Sequence, residues 1–249
     1  CAMHSLKDMP GNEETPGLVI GAYLRRDDPT DSIVLRPGLT LEDVQRDEGA
    51  GLKLGTNSVR RAALVRSLYP KIEVIHFRGA ADTRIQKLDQ GLMQLLVDGS
   101  EVGPADAILL ATSGMARIGA ADRIAHRFSV DEMLPAVGQG IVAVECAAND
   151  WSTLNLLSRI DDPAARACAQ AEREMLWVLD GHCNSPMAAH ATIDGETMLL
   201  RAAVMSVEGD QVMRHEASGP AVYPRELGRN VGLALIAQGA PALIDQTRV

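Results

Sequence analysis

Apolar residues fall into two rhythms along this chain, and the order in which those rhythms alternate predicts its architecture. Residues 17–24 (GLVIGAYL) form a nearly unbroken apolar run, the signature of a buried strand, and Arg25, Arg26, Asp27, Asp28 and Pro29 break it into what reads as a linker. A strand at 33–35, a helix from Leu41 capped by Thr40, a strand at 52–55 and a helix at 59–68 come next. The alternation goes on with a strand at 72–77, a helix at 81–96 and a strand at 107–111. Strands alternating with helices imply a largely parallel sheet, with ligands at the carboxyl ends of its strands. Within that stretch, residues 98–104 are polar and turn-forming, a surface excursion expected to matter little for chemistry.

Pro135, Ala136, Val137, Gly138, Gln139 and Gly140 precede another apolar strand at 141–146 and read as a second crossover between lobes, an ordinary loop being the alternative. Beyond Asp161, Asp162 and Pro163 the pattern changes. A long amphipathic helix at 164–179 leads to strands at 187–193, 198–204 and 212–218 and a helix at about 224–238. That order predicts a small α+β domain with an antiparallel sheet. The expected domains are therefore 1–26 with 141–160, then 27–140, then 161–249. Cys1, Ala2, Met3 and His4 read as the interior of a strand, so the chain is expected to lack an amino-terminal portion.

Composition narrows the function. The 249 residues are 46% apolar, ample for real cores, and carry a net charge of −9, from 33 acidic against 24 basic side chains. Nucleic acid and anionic membrane are poor partners for such a surface, and no apolar run approaches the roughly 18 residues of a membrane span. Cys1, Cys146, Cys168 and Cys183 show no metal-binding spacing, and a cytoplasmic protein with reduced thiols and no metal is expected. Against the acidic background the central third gathers Arg60, Arg61, Arg78, Arg84 and Arg117, several after short apolar runs and Gly or Ser/Thr turns. In that context backbone N–H groups point at an anion and guanidinium groups grip carboxylates with paired hydrogen bonds, so a polycarboxylate or phosphate pocket is expected. Scattered surface ion pairs are the alternative.

Two further stretches hold candidate chemistry. Lys7 and Asp8 stand at a strand end halted by Pro10, where the carboxylate can steady a cation or move a proton; a solvated turn is the other reading. Cys183 sits in a polar turn after the long helix, in Gly181, His182, Cys183, Asn184, Ser185 and Pro186. It reads as an inert thiol, a nucleophile or a covalent cofactor anchor.

The chain resembles the hydroxymethylbilane synthase family, also called porphobilinogen deaminases, over essentially its whole length. The matching segments, in order, are HSLKDMP at 4–10, GTNSVRR at 55–61, Arg78 with Gly79, Thr83 with Arg84, Lys87 with Leu88, PAVGQG at 135–140, and Gly181, His182 and Cys183. The resemblance implies an α/β protein of two periplasmic-binding-protein-like lobes, the first incomplete here, with a small carboxy-terminal domain. It implies a dipyrromethane cofactor held by a thioether to Cys183, on which four porphobilinogen molecules are condensed with loss of ammonia before hydrolysis releases the linear product. It makes Asp8 the catalytic carboxylate. Lys7, Ser5, Thr56, Ser58, Arg60, Arg61, Arg78, Gly79 and Arg84 become cofactor contacts, and Arg60, Arg78, Arg84, Arg117 and Gln139 contacts to porphobilinogen and the growing polypyrrole. A monomer is implied as well.

Each pyrrole brings two carboxylates, which explains local arginines in an acidic chain. A carboxylate near the pyrrole N–H groups would stabilise the cation left when ammonia departs. Departures exist: the family usually has Ser at Asn57, Asn at Ala80 and Gly at His182. A non-catalytic anion-binding module, an inactive fragment of the enzyme, and a hydrolase using His182 and Cys183 are the competing readings.

Overall fold

The structure is a computed structural model that describes residues 1–11, 15–182 and 184–247. In chain order its elements begin with β1 (Ala2–Ser5), β2 (Leu18–Tyr23), β3 (Asp31–Leu35), α1 (Leu41–Gln45), β4 (Lys53–Gly55), α2 (Val59–Leu68), β5 (Glu73–Ile75) and α3 (Ala81–Gln90). Then come β6 (Gln94–Leu95), β7 (Glu101–Val102), β8 (Ala107–Ala111), α4 (Thr112–Arg117), β9 (His126–Arg127), β10 (Val142–Ala147) and α5 (Trp151–Leu157). The last are α6 (Pro163–Val178), β11 (Met187–Asp194), β12 (Thr197–Met205), β13 (Val212–Pro220), α7 (Pro224–Ala237) and α8 (Ala240–Asp245). None of the described helices is long and apolar enough to cross a membrane.

Packing divides the chain into two compact units. The first comprises Cys1–Pro29, Leu134–Val204 and Met213–Val249; the second comprises Thr30–Met133 and Met205–Val212. Within the first unit α6 serves two sheets. Its Ala165 and Ala169 bury against Leu6, Tyr23, Ile141 and Ala143, while Ala171, Met175 and Cys168 enter the core of β11 and β12. The first sheet has the order β1-β10-β2, antiparallel throughout, with Ala2 opposite Glu145 and Ala143 opposite Tyr23. The other has the order β11-β12-β13, with β11 antiparallel to β12 from Met187↔Val204 to Asp194↔Thr197. Over it α6 and α7 pack closely, since a Cβ at Gly228 would stand 2.2 Å from the Ala171 carbonyl oxygen.

A buried carboxylate ties this unit together. Glu172, with no exposed surface, accepts from Arg26 Nη1 at 2.5 Å, from the Gly138 N–H at 2.7 Å and from the Ala191 N–H at 2.8 Å. Such an ion pair is held by satisfied geometry, because removing either partner would strand the other charge away from water. The same knot joins the 134–140 crossover to α6 and β11. Gly140 in that crossover has φ +88°, and a Cβ there would meet the Asp27 carbonyl oxygen at 2.5 Å.

The second unit is built on a five-stranded sheet of order β5-β4-β8-β3-β9. β4 runs parallel to β5 and β8, whereas β3 is antiparallel to β8 and β9, so the sheet is mixed and the largely parallel expectation is corrected. Thr40 caps α1 with a reciprocal capping box to Asp43. Helix α3 ends six residues sooner than the apolar pattern predicts. Gly91 adopts φ 59°, its N–H closing on the Leu88 and Lys87 carbonyls, and the chain turns into the β6–β7 hairpin. Helices α4, α5 and α8 and strand β9 were not anticipated.

Candidate functional site

The reversed direction of β3 shapes the arginine-bearing edge of the second unit. Its first residue, Asp31, stands opposite Ala111, the last residue of β8, so an acidic side chain lies at the edge where the carboxyl ends of β4 and β8 hand over to α2 and α4. Ser58 caps α2, accepting from the Arg61 N–H, and Thr56 Oγ1 accepts from the Ser58 N–H at 3.2 Å. Arg60 and Arg61, expected as direct ligand contacts, are both buried, at 4% and 7% exposure. Arg61 reaches Asp31 Oδ1 through Nε at 2.9 Å and Nη2 at 2.7 Å, and Arg60 Nη2 lies 2.8 Å from Asp31 Oδ2. Burial alone would push the Asp31 carboxyl up, yet the two guanidinium charges outweigh it and hold it well below the usual carboxylate range.

Arg84 differs. It is half-buried on the first turn of α3, its Nε is buried without a hydrogen-bond partner, and no carboxylate pairs with it among the described residues. Burial and the nearby Arg61 charge both lower its pKa, so its cation is under-compensated where it stands. Ala80 gives α3 no side-chain cap, which leaves the first-turn N–H groups to other acceptors. Arg78 is exposed, and Gly79 follows it with φ +132°. Arg117 is exposed in the last turn of α4. Asn57 is turned toward the strand beside it, accepting from the Phe77 N–H at 2.9 Å.

Sequence reasoning passed over Gln94. Its Oε1 accepts from the Arg78 N–H at 3.1 Å and from Lys87 Nζ at 3.0 Å, and Lys87 also donates to the Arg78 carbonyl. The start of the hairpin thus braces the Arg78–Gly79 turn, and no motif announces it.

In the first unit, Ser5 ends β1, and Lys7 and Asp8 follow in a single 3-10 turn spanning Leu6–Asp8, anchored by buried Leu6. Asp8 is exposed, with no hydrogen bond or ion pair among the described residues, and lines a cavity of about 270 Å³ with His4, Thr15, Glu145 and Arg173. Arg173 Nη2 donates to the Pro10 carbonyl at 2.8 Å and fixes the far side of the turn. Lys7 Nζ approaches Gln139 Oε1 at 3.5 Å. Gln139, expected to contact substrate, has no exposed surface, and its Nε2 donates to the Pro29 carbonyl at 2.6 Å. Its side chain therefore joins the two crossover segments. Cys183 lies outside the described residues. On either side of it the Ser185 N–H donates to the His182 carbonyl, the His182 N–H to Ser185 Oγ at 3.1 Å, and the Asn184 N–H to His182 Nδ1 at 3.3 Å.

The guanidinium-rich edge fits a polycarboxylate group: Arg84 has a buried donor to give, Arg78 is exposed, and Thr56, Ser58 and the uncapped start of α3 add neutral donors. Fold and donor set together describe an α/β protein with an edge suited to a polyanionic organic ligand. Comparison with known proteins makes this specific. Residues 1–155 match the family model described as porphobilinogen deaminase, dipyromethane cofactor binding domain, and residues 166–237 match the porphobilinogen deaminase C-terminal domain. The chain is 40% identical to porphobilinogen deaminase 2 of Streptomyces coelicolor, over 98% of this chain and 74% of that protein. It is 38% identical to the porphobilinogen deaminases of Desulforudis audaxviator, over 99% and 74%, and Stenotrophomonas maltophilia strain K279a, over 98% and 75%. The chain belongs to the porphobilinogen deaminase family, the transferases of tetrapyrrole biosynthesis that work on a dipyrromethane cofactor.

Proposed function

We propose that this chain removes ammonia from porphobilinogen and joins four such units head to tail on a dipyrromethane primer bound through Cys183, hydrolysis then freeing the linear tetrapyrrole. Dipyrromethane, when bound, supplies the pyrrole carbon that starts the chain. The protein's own residues do the rest. Asp8 presents its carboxylate to the pyrrole N–H groups and stabilises the positive charge that develops on porphobilinogen as ammonia leaves. Arg84 and Arg78 grip acetate and propionate oxygens over the fixed Arg60–Arg61 pair, and Arg117 adds a further cation. Thr56, Ser58, Ser5 and the backbone at Gly79 donate to the remaining oxygens, with Lys7 a carboxylate contact. Gln139 holds the crossovers. A monomer in the cytoplasm is part of the same reading.

The observation that carries this reading is the under-compensated Arg84, with its buried Nε, beside a buried arginine pair that shares one carboxylate. Intact-mass measurement tests it. The purified protein should carry two pyrrole units on Cys183 and colour with an aldehyde reagent, and Cys183→Ser should lose both signals. Reversible anion binding with an unmodified thiol would instead favour the non-catalytic module.

A further inference from the structure

Asp31 contributes no ligand-facing surface, yet two of the proposed anion-binding arginines end on it. Two guanidinium groups buried side by side repel one another and lose hydration, so without a partner they would turn toward solvent. Asp31 Oδ1 takes Arg61 through two nitrogens, Oδ2 takes Arg60, and Arg61 Nη1 adds a bond to the Leu109 carbonyl at 3.3 Å. Three charges thus leave one net positive charge in a single geometry, at the edge where α2 begins. We propose that Asp31 is the positioning residue of this site, fixing Arg60 and Arg61 so that the carboxylates of the growing pyrrole chain meet cations already in place. Preorganised charge costs no rearrangement when the ligand arrives. This inference rests on the function proposed above.

The roles available to Asp31 differ in sign. Asp31→Asn raises the local charge by one; a purely electrostatic role would tighten anion binding, and a purely structural one would lower the melting temperature while leaving the folded fraction's affinity unchanged. Positioning predicts weaker binding despite the more favourable charge. The experiment measures calorimetric affinity for citrate, an unreactive polycarboxylate, together with melting temperature, KM for porphobilinogen and pyrrole loading by intact mass. For folded Asp31→Asn, we expect about tenfold weaker citrate binding and a comparable rise in KM, the discrimination that roughly 1.4 kcal/mol of lost interaction gives. Asp31→Glu keeps the charge but displaces the carboxylate by one methylene, and should fold with a smaller loss in the same direction. Unchanged or tighter citrate binding in folded Asp31→Asn overturns the proposal. If that variant does not fold, wild-type affinity in Asp31→Glu overturns it, as does wild-type protein that binds no citrate. Wild-type protein without a pyrrole adduct would instead sink the catalytic reading while the citrate series still decides Asp31.

Discussion

At the scale of single residues, the acidic and basic groups divide into those left exposed or unpaired and those that hold others in place. Asp8 is exposed and unengaged among the described residues, so replacing it by Ala should lower kcat by about 10²-fold or more while citrate affinity stays within twofold; rapid-quench assay and calorimetry check the split. Arg84→Met should raise KM for porphobilinogen about tenfold in steady-state kinetics, because it removes a charge-assisted donor without leaving a buried carboxylate stranded. His190 titrates in the service of stability. Burial, followed by the Arg26 charge, pushes its pKa down to about 4, against an ordinary 6.5. The depressed value means His190 supports the fold above pH 6.5, and that support is lost as pH falls toward 4, amounting to up to about 3 kcal/mol. Denaturant titrations of wild type and His190→Gln at pH 7 and pH 4.5 should show a smaller acid-side loss in the variant. Residue type and turn context marked Asp8 and the arginines as candidates, and the family resemblance supplied the roles expected of them. Asp31 was not marked, because its partners are 29 and 30 positions away in sequence and only a reversed strand brings them together.

At the scale of elements, local chemistry fixed most boundaries. Helix α2 spans Val59–Leu68 as the pattern predicts, since Ser58 supplies a cap and no Gly or Pro interrupts the stretch. Strand β8 likewise matches. The pattern overran α3 because Leu92, Met93 and Leu95 continue an apolar rhythm that belongs to the hairpin, where Leu95 is 62% exposed. A left-handed glycine stopped the helix instead, and glycine at Gln90-Gly91 is a weak signal when apolar residues follow. Helix α5 escaped notice for a similar reason: it has seven residues, too few for a clear period. The contact of α6 with α7 offers a direct test. Gly228→Ala would push a methyl toward the Ala171 carbonyl, and chemical denaturation should report about 1–3 kcal/mol of lost stability with the pyrrole adduct retained.

At the scale of the whole molecule, a net charge of −9 works against the binding proposed for the arginine-bearing edge. The bulk charge repels each incoming dicarboxylate, and the local guanidinium groups must exceed it at short range. Salt screens both, but the short-range attraction is the one that binds, so KM for porphobilinogen should rise severalfold between 50 and 500 mM potassium chloride, with kcat changing less. The division into two units was only partly legible, because a helix that serves two sheets looks like any amphipathic helix in sequence.

The antiparallel course of β3 and β9 has one more consequence. The Phe128 N–H donates to the Asp31 carbonyl at 3.0 Å, so the arginine-bearing stretch starts and finishes at nearly the same spot. A segment with adjoining ends can be exchanged as a cassette between relatives without rerouting the backbone. A chimera made by that swap would import another protein's carboxylate preference while keeping its own Asp8 and thiol.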